Sequence, residues 1–145
     1  MSHQITLSKN EQRLAKFIAR SRYENARSNN IPDLKISNQS NEEIDLEGFG
    51  AELAYCKLMN FDCVSRLGVT IDIKTTKYKS GHLLATLKKK ENPPDKYVLI
   101  IGEFPNYRIV GEVGADEFLQ DVNIKNFGRG RGYALSQMEL KPLTI

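Results

Sequence analysis

A chain of 145 residues is long enough for one domain with a sizeable core, and 1–145 reads as a single domain. Its hydrophobic share of 40% and charged share of 27% suit a globular protein, and no apolar run approaches the length that crosses a bilayer. The net charge of +3 is mild but unevenly spread, with basic residues gathered in Lys74–Lys90 and Lys125–Tyr133 and acidic ones in Asn41–Glu52. Basic clusters beside an acidic one suit an anionic polymer, although two solvated charged faces explain the same pattern. Cys56, Cys63, His3 and His82 are isolated, which argues against a disulfide framework, a zinc centre or a histidine base. With no apolar leader in "MSHQITLSKN", the expectation is a cytoplasmic protein with reduced thiols and no membrane partner.

Along the chain, Ser8 and Glu11 fit a capping box, and Leu14, Phe17 and Ile18 recur at helical spacing. This predicts a first helix from about Lys9 to Ala26, with Arg13, Lys16 and Arg20 on its outer face. The polar, proline-containing stretch "NNIPDLKISNQSN" reads as a loop. A second helix is predicted from about Glu42 to Met59, capped by Ser40 or Asn41, with Leu46, Phe49, Leu53 and Leu58 making its apolar contacts. Gly48 and Gly50 each cost such a helix about 1 kcal/mol relative to alanine, which implies close approach to a sheet. The period then switches. "FDCVSR" and "VTIDIKTT" look like a hairpin around Leu67-Gly68, "HLLATL" is a further strand, and "KYVLIIGEF" and "YRIVGEV" are strands joined through a "PN" turn. "GADEFLQDV" reads as a short helix, and "GYALSQMELKPL" as mixed turn and extended structure. Two helices, several strands and a short helix predict an α/β (α+β) domain built on a mixed sheet.

One strand poses a chemical question. Alternation puts Ile71 and Ile73 of "IDIKTT" on one face, and Asp72 and Lys74 together on the other. An exposed edge-strand ion pair worth about 0–1 kcal/mol is the plain explanation. Carboxylates beside a lysine also suit phosphodiester hydrolysis, if the preceding helix delivers Glu52 or Glu47 to the same point. Carboxylate oxygens bind the hard cation Mg²⁺, which keeps several waters and takes phosphate oxygens as further ligands, and an ammonium group offsets charge on the phosphorane.

Taken together, "EGFGAELAYCKLMNF", "IDIKTT", "KYVLIIGEF" and "YRIVGEV" resemble the PD-(D/E)XK, or restriction-endonuclease-like, nuclease superfamily, and more narrowly its small phage-encoded members. The similarity covers about Leu46 to Val113. It implies a central mixed β-sheet flanked by helices and a Mg²⁺- or Mn²⁺-dependent nuclease acting on DNA, in the host cytoplasm if phage-encoded. Carried over by position, Glu52 is the helix-borne acid, Asp72 the (D/E) carboxylate and Lys74 the lysine, with Glu52 and Asp72 holding the metal. Glu47 matches a second acidic position of the helix. The superfamily's upstream aspartate falls at Leu67 here, so Asp62 is the one acidic candidate between Glu52 and Asp72. A three-residue hairpin loop would bring Asp62 opposite Asp72, whereas a two-residue loop would turn it to the other face. If the aspartate is missing, a nucleic-acid-binding protein on the same fold is the alternative. Lys77, Lys79, Arg129 and Arg131 are the expected nucleic-acid contacts, the last two in the glycine-rich "GRGRG". "KKK" at Lys88–Lys90 reads most simply as a solvated turn. The two helices offer surface for a homodimer.

Overall fold

Ser8 starts the first helix as its sequence predicts. Its N–H donates to Glu11 Oε1 at 2.7 Å and its Oγ accepts the Glu11 N–H at 3.2 Å, so both orphan donors are satisfied. The computed structural model describes residues 2–28, 41–59, 69–126, 128 and 130–144. In chain order the elements are β1 (His3–Thr6), α1 (Lys9–Ser28), α2 (Asn41–Met59), β2 (Ile71–Thr76), β3 (Leu83–Thr86), β4 (Lys96–Glu103), β5 (Asn106–Gly114), α3 (Ala115–Phe118), β6 (Ile124–Asn126) and β7 (Arg131–Leu135). Short 3-10 turns occupy Leu87–Lys90, Asp121–Asn123 and Gln137–Glu139. The fold is mixed α+β.

β1, β5, β4 and β2 form one sheet in that order, β2 running parallel to β4 and the other pairs antiparallel. β3, β7 and β6 form a second, antiparallel sheet. The first sheet is the middle layer. On one face Val98, Ile100 and Ile109 pack against Phe49, Ala51, Leu53, Ala54 and Tyr55 of α2, with Ile71 and Ile73 joining from β2. On the other face Tyr97, Leu99 and Val113 pack against Leu83, Ala85, Tyr133 and Leu135 of the second sheet and against Phe118. The mixed sheet is flanked by helices as expected: α1 and α2 cover one face, and α3 together with a second sheet covers the other. Burial of these two apolar faces, at about 25 cal/mol per Å², is what holds the three layers together.

The apolar repeat of α1 was misleading. Leu14 and Phe17 are exposed, Phe17 by 69%, while Ala15 and Ala19 are buried and Ile18 lies partly within the core. Two small residues in register let α1 lie close on α2, which a leucine and phenylalanine in their place would prevent. Gly50 of α2 fits the close-approach reading, since a Cβ there would sit 2.9 Å from Phe104 Cδ2 and from Tyr107 Cζ. Gly48 does not, because nothing lies within 4 Å of its would-be Cβ. β2 pairs with β4, Asp72 opposite Tyr97 and Lys74 opposite Leu99, and the proposed hairpin partner at 61–66 lies outside the described residues.

Candidate nucleic-acid interface

Because β2 and β4 run parallel and in register, residues opposite each other share a face. Asp72 and Lys74 therefore lie on the face of Tyr97 and Leu99, away from α1 and α2. There Lys74 Nζ meets Asp72 Oδ1 at 3.1 Å, and Lys89 Nζ meets Asp72 Oδ2 at 3.1 Å. The Asp72 side chain is 17% exposed, against 34% for Lys74 and 41% for Lys89. One carboxylate thus holds two ammonium groups at the surface, and the trio carries a net charge of +1. Lys89 is the residue that sequence reasoning set aside. It comes from the 3-10 turn after β3, and no local pattern marks one lysine of three as the one that turns inward.

The buried partner beneath this trio is Tyr97. Its side chain is fully buried, its ring stands edge-on to Phe118 with centroids 5.0 Å apart, and its hydroxyl has no hydrogen-bond partner among the described residues. Burial, with the nearby Asp72 charge adding to it, pushes the phenol up to about 12. A neutral hydroxyl with no partner among the described residues, next to Asp72, is a cost the fold carries at this point.

The two helix-borne acids do not join Asp72. Glu52 pairs with Arg22 of α1, Oε2 to Nη2 at 3.3 Å, and Arg22 also lies over the Phe49 ring at 4.7 Å from its centroid. The expected meeting of Glu52 with Asp72 and Lys74 is therefore corrected. Glu52 belongs to the helical layer and the aspartate to the opposite face of the sheet. Glu47 accepts the Phe104 N–H at 3.1 and 3.2 Å, capping the β4–β5 turn, while its own carbonyl accepts the Tyr107 hydroxyl at 3.2 Å. Burial holds its carboxyl above the ordinary value, and the Glu103 charge adds to this, while the Phe104 hydrogen bond works against it. Phe104 follows β4, whose Ile101 pairs with Thr76 at the end of β2, so Glu47 lies beyond the C-terminal end of β2. Lys77 comes five positions after Asp72, just past the end of β2, roughly 16 Å along the chain at 3.3 Å per residue.

A Mg²⁺ or Mn²⁺ ion of the kind the resemblance implies needs carboxylates clustered on one side. Among the described residues no group of three or more acid, histidine or cysteine side chains could hold a metal. Both oxygens of Asp72 already face lysines. The described residues do not fit that metal site, and Asp62 lies outside them. What they do fit is an anion. Lys77 and Lys79 are exposed on the turn after β2, with Lys77 over the exposed Tyr78 ring at 5.7 Å. Gln137 Nε2 ties that turn down by donating to the Lys79 and Gly81 carbonyls at 2.7 and 3.0 Å. Lys88 and Lys90 are exposed beside Lys89. Arg131 opens β7 next to Gly132, the partner of Thr86, so it lies at the same end of the second sheet as the lysine turn. Arg129 lies outside the described residues. Gly128 and Gly130, at φ of 83° and 125°, adopt the left-handed backbone that this loop requires of glycine.

Among the described residues no helix is long and apolar enough to cross a membrane. Comparison with protein-family models, with curated proteins and with solved structures finds no match to this chain.

Proposed function

We propose that this protein binds nucleic acid, DNA in the first instance, through Lys74 and Lys89 beside Asp72, with Lys88 and Arg131 at one end of the second sheet and Lys77 and Lys79 at its other end as further contacts, and that it does so in the cytoplasm. The observation that carries this reading is the Asp72 trio, in which one carboxylate orients two lysines at 3.1 Å each. Preorganised ammonium groups neutralise phosphates and release counterions, so binding of this type weakens steeply with salt. Exposed Tyr78, with Lys77 over its ring, adds a flat surface on which a base can stack.

Metal-dependent hydrolysis of DNA is the second reading. The side-by-side Asp72 and Lys74 favour it, since the resemblance assigns them the carboxylate and lysine of the nuclease motif. It requires a further acid beside Asp72, and Asp62 is the candidate.

Fluorescence anisotropy with a labelled duplex and a labelled single strand, run first in EDTA, tests the binding reading. Salt-sensitive retention that falls on substituting Lys74→Ala together with Lys89→Ala supports it, and retention unaffected by the pair of substitutions refutes it. Gel analysis of the same strands after addition of Mg²⁺ or Mn²⁺ tests the second reading. Cleavage lost in Asp72→Asn and Asp62→Asn supports hydrolysis, and intact strands reject it.

A further inference from the structure

Of the chain's 6 tyrosines, Tyr55, Tyr97, Tyr107 and Tyr133 belong to the core, none more than 3% exposed. Tyr78 is 59% exposed. It stands on the turn after β2, a place where glycine, asparagine or serine usually serves, so core packing does not account for a large ring there. The backbone beneath the ring is nonetheless fixed. The Tyr78 N–H donates to Thr76 Oγ1 at 3.3 Å, and the Tyr78 carbonyl accepts the Gly81 N–H at 2.9 Å. Gln137 Nε2 holds the same turn through the Lys79 and Gly81 carbonyls. An added Cβ at Gly81 would strike the Thr76 methyl group, so the turn closes tightly on the end of the strand. Lys77 and Lys79 flank Tyr78 in sequence and are both exposed, and Lys77 Nζ stands 5.7 Å from the ring centroid.

An exposed ring on a pinned turn between two lysines offers a π-face and positive charge together. A nucleotide of an unpaired strand presents the matching pair, a flat base and a phosphate. In a duplex the base faces are already stacked on their neighbours, so such a ring meets only the helix ends. Phosphate contacts by lysine serve both strand forms, whereas stacking on the ring is open to the unpaired one.

We propose that Tyr78 is a stacking platform for an unpaired base and makes this surface prefer single-stranded nucleic acid to duplex. Lys77 and Lys79 hold the phosphates on either side of the stacked base. The inference rests on the nucleic-acid reading of the Asp72 trio and deepens it by naming the strand form. Every base has a π-face, so the preference is for the unpaired state and not for a sequence.

Fluorescence anisotropy of one labelled strand, alone and annealed to its complement, tests the platform on the wild type, Tyr78→Ala, Tyr78→Phe and the Lys74→Ala with Lys89→Ala double variant. The wild type should bind the unpaired strand more tightly than the duplex. Tyr78→Ala should lose about 5-fold or more on the unpaired strand and less on the duplex, and Tyr78→Phe, which keeps the ring, should recover the loss. The chain has no tryptophan, so its intrinsic emission is that of tyrosine, and the unpaired strand should quench it in the wild type more than in Tyr78→Ala. Equal losses on the two strand forms in Tyr78→Ala, or no loss, would overturn the platform. If retention still falls in the double lysine variant, the platform alone has failed. A wild type that retains neither strand form overturns the parent reading and the platform with it.

Discussion

Gly48 and Gly50 sit one turn apart in significance, though only two residues apart in α2, and alanine at each should move stability in opposite directions. At Gly48 the helix is open, with nothing within 4 Å of an added Cβ. Alanine there gains helix propensity of about 1 kcal/mol, part of it by restricting the unfolded chain. At Gly50 the same methyl group meets Phe104 Cδ2 and Tyr107 Cζ at 2.9 Å and the Tyr107 hydroxyl closer still. Tyr107 cannot swing aside cheaply, because it is 3% exposed and its hydroxyl donates to the Glu47 carbonyl at 3.2 Å. Overpacking of about 1–3 kcal/mol and a weakened hydrogen bond of about 1 kcal/mol outweigh the propensity gain, leaving a net loss of about 1–3 kcal/mol. In a domain of this size each kcal/mol shifts Tm by about 2–4 °C. Urea and thermal unfolding of the two variants therefore should give a rise for Gly48→Ala and a clear fall for Gly50→Ala. Equal and positive shifts would refute the packing of α2 against the β4–β5 turn.

Tyr97→Phe deletes a buried hydroxyl that has no partner among the described residues while keeping the ring against Phe118, so the variant should be as stable as the parent or up to about 1 kcal/mol more stable. A loss above about 1 kcal/mol in urea unfolding would show that the hydroxyl is bonded after all. Glu47→Gln probes the sign of a pH effect. The folded-state carboxyl is raised above its ordinary value of 4.5, so its stabilising contribution is fully present below that value and is lost as pH rises through the folded-state value. The neutral glutamine should raise Tm at pH 7 and leave it unchanged below about pH 4. A gain that persists undiminished at the acid end would contradict the half-buried, charged Glu47.

The larger features of the fold were legible because they repeat. "KYVLIIGEF" is buried on both faces in β4, and "YRIVGEV" alternates in β5 as its side chains predict. The capping box at Ser8 and Glu11 fixes the start of α1. β1 and β6 escaped notice because "HQIT" and "IKN" are short and polar, and their strand character comes from pairing with β5 and β7. Leu14 and Phe17 misled for a related reason. Periodicity locates an apolar stripe, but the alanine stripe beside it is what permits α1 to approach α2.

At the site, the pairing of Asp72 with Lys74 followed from strand alternation and is met at 3.1 Å. The error lay one level up. Sequence spacing placed Glu52 on the right helix but could not say that this helix covers the other face of the sheet, where Arg22 takes the carboxylate. Lys89 and Tyr97 were missed because their nearness to Asp72 depends on the strand register and on how the two sheets stack.

Affinity for a DNA duplex across a salt series tests the central claim most directly. If Lys74 and Lys89 each neutralise a phosphate, replacing both with alanine lowers the slope of log affinity against log salt by about 1.8. Between 50 and 200 mM salt, the pair then accounts for a change in affinity of about 12-fold. A slope that is unchanged by the substitutions, or a parent protein that does not bind at the lowest salt, would contradict the assignment of this face to nucleic acid.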